Sequence, residues 1–208
     1  MLNVRQAPNA STASTGVLRR DEVIQVLADS DDGRWVLFLR DGSPGWASKR
    51  YLLRLPNLPE GDADFPWMPI AVAEKGVAGL AGRANNRRVL EYLQSTDNLN
   101  ALAISRDETS WCSAFVNWCM TQAGFPATRS ALARSWLQWG RPVKRPRRGC
   151  LVVFSRAGGF GHVGFYVSET ETDILVLGGN QRNPETGKYE VSESYYPKSR
   201  LLGYRVPW

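Results

Sequence analysis

Residues 56–70 read PNLPEGDADFPWMPI, with four prolines, a glycine and three acids. Proline has no amide donor and a fixed φ, so neither a helix interior nor a central strand is expected to run through such a segment. The stretch reads as a linker. Before it, apolar residues fall at alternate positions in short runs; after it, they recur every third or fourth residue. The chain is therefore expected to form two units, an all-β one over residues 1–55 and a larger one over residues 71–208.

Composition narrows what these units do. The 208 residues are 43% hydrophobic and 22% charged, an ordinary globular balance, with a formal net charge of +6. A positive chain favours anionic surroundings. The only concentrated basic run is RPVKRPRRG at 141–149, so a nucleic-acid partner is not expected and the run reads as a solvated loop. No stretch approaches the ~18 apolar residues of a membrane span, so no integral membrane segment is expected. The opening MLNVRQAPNAST lacks the charged-then-apolar pattern of a leader, so the chain reads as having no secretory address. His162 is the single histidine, which leaves too few ligands for a zinc or iron site; neither metal nor cofactor is expected. The three cysteines, 112, 119 and 150, are an odd number and not a disulfide framework.

In the first region LNVRQ, EVIQVLAD, RWVLFLR and PGWAS read as short strands. Alternation in RWVLFLR sets Trp35, Leu37 and Leu39 on one face, and RDGSPGW supplies a tight hairpin. LNVR at Leu2–Arg5, Gly45-Trp46 and Tyr51-Leu52 resemble the recurring marks of bacterial SH3-like domains. That resemblance implies a small barrel of the kind that holds cell-wall hydrolases on peptidoglycan. Trp35, Trp46 and Tyr51 are expected in its core.

The second region begins with helical periodicity in MPIAVAEKGVAGL, NNRRVLEYLQST (Asn85 or Asn86 as N-cap), CSAFVNWCMTQAG and SALARSWLQWG. It then turns to strands in CLVVFS, HVGFYVS, ILVLGGN and LLGYRV. Helices followed by antiparallel strands are α+β order.

Thr109 or Ser110 is positioned to cap the third helix, which brings Cys112 into its first turn. There, free N–H groups and the helix dipole favour a thiolate. Cys119 lies inside the same helix and Cys150 enters a buried strand, so both read as packing. A thiol nucleophile needs a base, and His162 is the only histidine available. A hairpin of HVGFYV and ILVLGGN centred on Glu171 pairs residues whose numbers sum to 342, bringing Asn180 opposite His162, Tyr166 opposite Val176, and Gly164 beside Gly178 over open space. A one-residue slip brings Gln181 to that position instead.

WCSAFVNW around Cys112, GCLVVF from Gly149, GHVGFYV at His162 and LGGNQ at Asn180 together resemble the CHAP and NlpC-like cysteine peptidoglycan hydrolases. The resemblance implies a papain-like domain that cleaves a stem-peptide amide, as an amidase or endopeptidase, through a thioester. Cys112 matches the nucleophile, His162 the general base and acid, and Asn180 the orienting residue. Gly178 stands where many members carry an acid, so that Asn180 either completes the triad alone or is helped by Glu74 or Gln181. The backbone N–H of Cys112 is the first oxyanion donor. Trp111, Ser113, Gly161 and Trp136 are the expected substrate contacts, with Trp139 beside them. Peptidoglycan is the expected partner, and action at the periplasm or wall follows, as an antibacterial toxin with an immunity protein or as a phage lysin. The other readings are a non-catalytic wall-binding or adaptor protein, and a Cys/His protease or acyltransferase with a protein target.

Overall fold

The computed structural model describes all residues except Asp21, Val23, Gln25, Asp41, 53–64, 81–84, Glu185 and Trp208. The chain divides into two compact units, Met1–Leu55 and Pro56–Trp208.

In the first unit, β1 (Leu2–Arg5), β2 (Ser14–Leu18), β3 (Val26–Asp29), β4 (Trp35–Arg40) and β5 (Ser43–Ser48) form an antiparallel sheet in the order β2-β1-β5-β4-β3. Val4, Leu18, Val36, Phe38 and Ala47 make its core. The inward face of β4 is thus the even-numbered one. Trp35 and Leu37 are half-buried and Leu39 is exposed, so the expected inward set lies on the outer side. Tyr51 is likewise exposed. Both parities of RWVLFLR are apolar, and the pattern within the strand therefore does not decide which side is the core. Gly45 does: a Cβ there would come within 2.5 Å of the Val4 side chain, so β5 closes on β1 only without one.

In the second unit, α1 (Trp67–Ala73), α2 (Arg87–Leu93), α3 (Ala101–Ile104) and α4 (Cys112–Gln122) precede a six-stranded antiparallel sheet. Its strands are β6 (Arg141–Val143), β7 (Leu151–Ser155), β8 (Gly161–Glu169), β9 (Asp173–Arg182), β10 (Tyr189–Pro197) and β11 (Leu201–Val206), ordered β10-β9-β8-β7-β11-β6. The unit is α+β, as expected. SALARSWLQWG forms a 3₁₀ segment, Ala133–Gln138, in place of an α-helix.

The linker reading of 56–70 fails at its C-terminal end. Phe65, Trp67 and Met68 are buried in the core of the second unit, and Trp67 Nε1 donates to Gly149 O at 2.8 Å. Phe65 stacks on Trp67 at 4.7 Å, and the Arg147 guanidinium lies 4.3 Å from the Phe65 ring, so the basic loop is partly tied down. The prolines do not prevent this. Pro66 is the N-cap of α1 and Pro69 lies in its first turn, where a helix has no use for the missing N–H. Residues 53–64, the rest of that stretch, lie outside the described residues.

α4 is apolar nearly all round, the pattern of a central helix. It packs on β8 and β9. Phe115, Val163, Phe165 and Leu177 share the core between them. The other face of the sheet carries a second cluster, Val152, Phe154, Ile174, Val176 and Tyr204. The seam between α4 and β9 is narrow: a Cβ on Gly179 would come within 2.5 Å of the Trp111 ring and 2.7 Å of Phe115 Cβ.

Candidate active site

Cys112 opens α4. Its N-cap is Trp111, which makes no side-chain cap bond, so the expected cap by Thr109 or Ser110 does not form. The first-turn donors stay available. The charge of Arg156, the backbone at Val163 and Ser113 and the Ser110 hydroxyl all favour the Cys112 thiolate. Burial outweighs them and raises the thiol pKa, for Cys112 is only 2% exposed. Cys119 has a different neighbourhood. It is buried near Glu74, which pushes its pKa up further, and no donor from β8 reaches it. Cys150 is buried as well and takes the Arg147 N–H at 3.3 Å.

His162 is fully buried at the start of β8, beside Val163, whose backbone favours the thiolate. Its ring stacks on Tyr196 at 4.7 Å. Nε2 lies 3.1 Å from Gln181 Oε1, and Nδ1 lies 3.1 Å from Arg156 Nη2. The Gln181 amide fixes the tautomer. Its Nε2 donates to Ser192 O and, at 3.3 Å, to Val176 O, so Oε1 must face the ring and His162 Nε2 carries the proton. Nδ1 is then the basic nitrogen, and it accepts from Arg156.

The amide that meets the imidazole is therefore Gln181 and not Asn180. The hairpin keeps the sum of 342 at Phe165–Leu177 and Tyr166–Val176, and a bulge between Tyr166 and Ser168 shifts it nearer the turn. At the other end Asn180 adopts φ 55°, and the β9–β10 register shifts by one residue between Gly178 and Gln181. That inserted residue returns the odd-numbered Gln181 to the face of His162. Asn180 turns away and donates from Nδ2 to Ser110 Oγ at 3.2 Å. The open space expected at Gly164 is filled, since a Cβ there would come within 2.5 Å of Val176 Cγ1. Glu74, the other candidate helper, accepts from Tyr92 Oη at 2.5 Å and pairs with Arg88 at 3.2 Å, within the helical layer.

The expected substrate contacts divide. Trp111, Ser113 and Trp136 are each 0% exposed, which removes them from any groove wall. Ser113 Oγ donates to Ser130 O at 2.6 Å and accepts from Trp136 Nε1 at 2.9 Å, tying the loop after α4 to the helix. Gly161 is half-buried, and Trp139 Nε1 is bound to Pro126 O at 3.0 Å. Ser110 and Arg156 act on the thiol, Tyr196 stacks on the imidazole and Asn180 bonds to Ser110; of these four only Asn180 was a sequence-based site candidate. Among the described residues no group of three His, Cys, Asp or Glu side chains is arranged to hold a metal.

Residues 104–180 match the model of the CHAP domain family, and residues 2–52 match the bacterial SH3 domain family. The chain carries a CHAP domain behind a bacterial SH3 domain. The CHAP match runs from α3 to Asn180 and includes Cys112 and His162, while Gln181 is the next residue. No curated protein matches the chain. Among solved structures, NlpC1 from Trichomonas vaginalis is similar over 99% of this chain and 66% of its own, at 12% identity and a TM-score of 0.40. An NlpC/P60 family protein from Bacillus cereus ATCC 10987 is similar over 99% of this chain and 59% of its own, at 12% identity and a TM-score of 0.41. The chain thus spans less than two thirds of the length of either protein.

The CHAP domain's histidine has a pH signature. Burial, with the charges of Arg156 and Arg200, lowers the His162 pKa from 6.5 to about 3 despite the bond to Gln181. Between those values the unfolded chain binds a proton that the folded chain does not, so stability falls as pH drops from about 6.5 towards about 3. From pH 6.5 to 4.5, urea unfolding is expected to show the wild type losing about 2–3 kcal/mol more than His162→Gln. Equal losses in the two proteins would mean that His162 does not titrate in this way.

Proposed function

We propose that the protein hydrolyses an amide bond of the peptidoglycan stem peptide, as an amidase or endopeptidase, with Cys112 as nucleophile, His162 as base and acid, and Gln181 orienting the imidazole. The observation that carries this reading is the Cys112 thiol at an uncapped helix start, with the backbone of Val163 close enough to favour its thiolate, and beside Val163 a buried His162 whose Nε2 is held by Gln181 at 3.1 Å. The CHAP and bacterial SH3 domain matches support a cell-wall substrate.

In the acylation step the Cys112 proton passes to His162 Nδ1 as sulfur bonds to the amide carbon. The carbonyl oxygen becomes an oxyanion facing the free N–H groups of the helix start. Collapse breaks the C–N bond, and the amine leaves with the proton from His162. Water then attacks the thioester, giving its proton to Nδ1, and the carboxylic acid leaves as the thiol is restored. The proposed setting is bacteriolytic, at the periplasm or wall, as a delivered antibacterial toxin with an immunity partner or as a phage lysin.

Digestion of purified sacculi tests the substrate. Mass spectrometry of the soluble fraction is expected to find fragments with one new amine and one new carboxylate terminus per cut. Sacculi left intact by the folded full-length protein would refute the reading.

A further inference from the structure

Arg156 is the one charged residue that touches the catalytic base, and the mechanism above gives it no task. It follows β7 and begins the loop to β8, which is closed by its own backbone N–H donating to Phe160 O at 3.0 Å. Gly158 and Gly159, at φ 70° and 78°, make that tight return possible, so the root of the Arg156 side chain is held next to His162. The guanidinium donates to His162 Nδ1 at 3.1 Å, and its charge acts on the Tyr196 hydroxyl and on Cys112. Among the described residues no carboxylate pairs with Arg156, although eight other basic side chains, such as Arg88 and Arg129, have such partners. Arg200 adds a second positive charge near His162 and Tyr196, and it too has no carboxylate partner there. The two charges that act on the imidazole, Arg156 and Arg200, are both positive.

This arrangement blocks the base at rest. Nδ1 has one lone pair, and a guanidinium that holds it prevents it from taking the thiol proton. A planar fork of N–H donors binds a carboxylate far better than it binds one imidazole nitrogen. We infer that Arg156 is a carboxylate-binding residue of the catalytic centre: it pairs with a free carboxylate that the substrate carries beside the scissile amide, and so releases His162 Nδ1 to accept the Cys112 proton. The inference rests on the thiol-hydrolase reading, and it adds that the substrate is an acidic peptide whose carboxylate takes part in switching on the base.

One arm of the test needs no cleavage. Full-length wild type, Arg156→Gln and Arg156→Lys are alkylated with iodoacetate and with iodoacetamide, reagents that differ in a carboxylate against a carboxamide, and Cys112 labelling is followed by mass spectrometry. The iodoacetate-to-iodoacetamide rate ratio is expected to be about ten-fold or more higher in wild type than in Arg156→Gln, with Arg156→Lys between them. Equal ratios, or a wild-type Cys112 that neither reagent labels, overturn the inference. In the second arm, paired stem-type peptides carry either a carboxylate or a carboxamide next to the cut amide. Wild type is expected to favour the carboxylate by a similar factor in kcat/KM, and Arg156→Gln to lose that preference. Parallel losses on both peptides would make Arg156 a general support of the thiolate and overturn the inference. If neither peptide is cut while the alkylation ratios behave as expected, the carboxylate site stands and the hydrolase reading fails.

Discussion

Cys112→Ala is expected to abolish release of stem-peptide fragments from sacculi, a loss of about 10⁴-fold or more, while the protein stays folded. The size of the loss follows from the chemistry: without sulfur there is no thioester, and the oxyanion donors that remain stabilise an intermediate that never forms. The fold survives because the substitution removes one small atom from a 2% exposed site at a helix start, where alanine is well tolerated. Fragment yield and far-UV circular dichroism on the same preparations check both halves. Cys119→Ala is the matched control, since that thiol sits deeper in α4 near Glu74 and Tyr92 and touches nothing in the site. Unchanged fragment release by Cys112→Ala, or its loss only in Cys119→Ala, would remove the thiol mechanism.

Gln181→Leu is expected to lower kcat by about 10²-fold or more, and Asn180→Gly to change it little. Leucine keeps the bulk of glutamine but removes the acceptor at His162 Nε2. The ring is then free to move its proton to Nδ1, where it cannot act as a base. The buried Nε2–H and the carbonyl of Ser192 also lose their partner, at a cost of about 1–3 kcal/mol each. Asn180, by contrast, contributes a left-handed backbone and one contact to the Ser110 hydroxyl, and glycine adopts that φ freely. Steady-state kinetics on a soluble stem peptide separate the two amides. Equal loss from both substitutions would contradict the assignment of the orienting role to Gln181 alone.

Much of this site could be read in the sequence, and the misreadings have local causes. Cys112 stood out because a helix start was visible around it, and His162 because no other histidine competed. The strand pairing of β8 and β9 was correct at Tyr166 and Val176. What could not be read was one left-handed residue: the φ of Asn180 switches which of two neighbouring amides faces the ring, and nothing in LGGNQ marks that switch beyond asparagine's tolerance for it. Trp111 and Trp136 were misassigned because a tryptophan near a nucleophile looks the same in sequence whether it lines a groove or fills the space behind it. Arg156 was passed over as one basic residue in a glycine-rich loop. What sets it apart is that none of the described carboxylates pairs with it, a property of the folded neighbourhood. The helix was read from Met68, one residue inside α1, but the linker was carried on to residue 70 because prolines were read as breakers, and two of them, Pro66 and Pro69, sit where a helix start admits them.

The contact of Gly179 with Trp111 and Phe115 bears on the tolerance of the whole reaction. Cys112 rides on a helix and His162 on a sheet, two layers with no covalent link nearer than the loops that join them. Their spacing is gauged by indole against bare backbone, a stop that has no rotamer to yield and no methylene to compress. A catalyst assembled from separate layers needs such a fixed stop. It sets how closely the layer that carries the thiol can approach the layer that carries the imidazole.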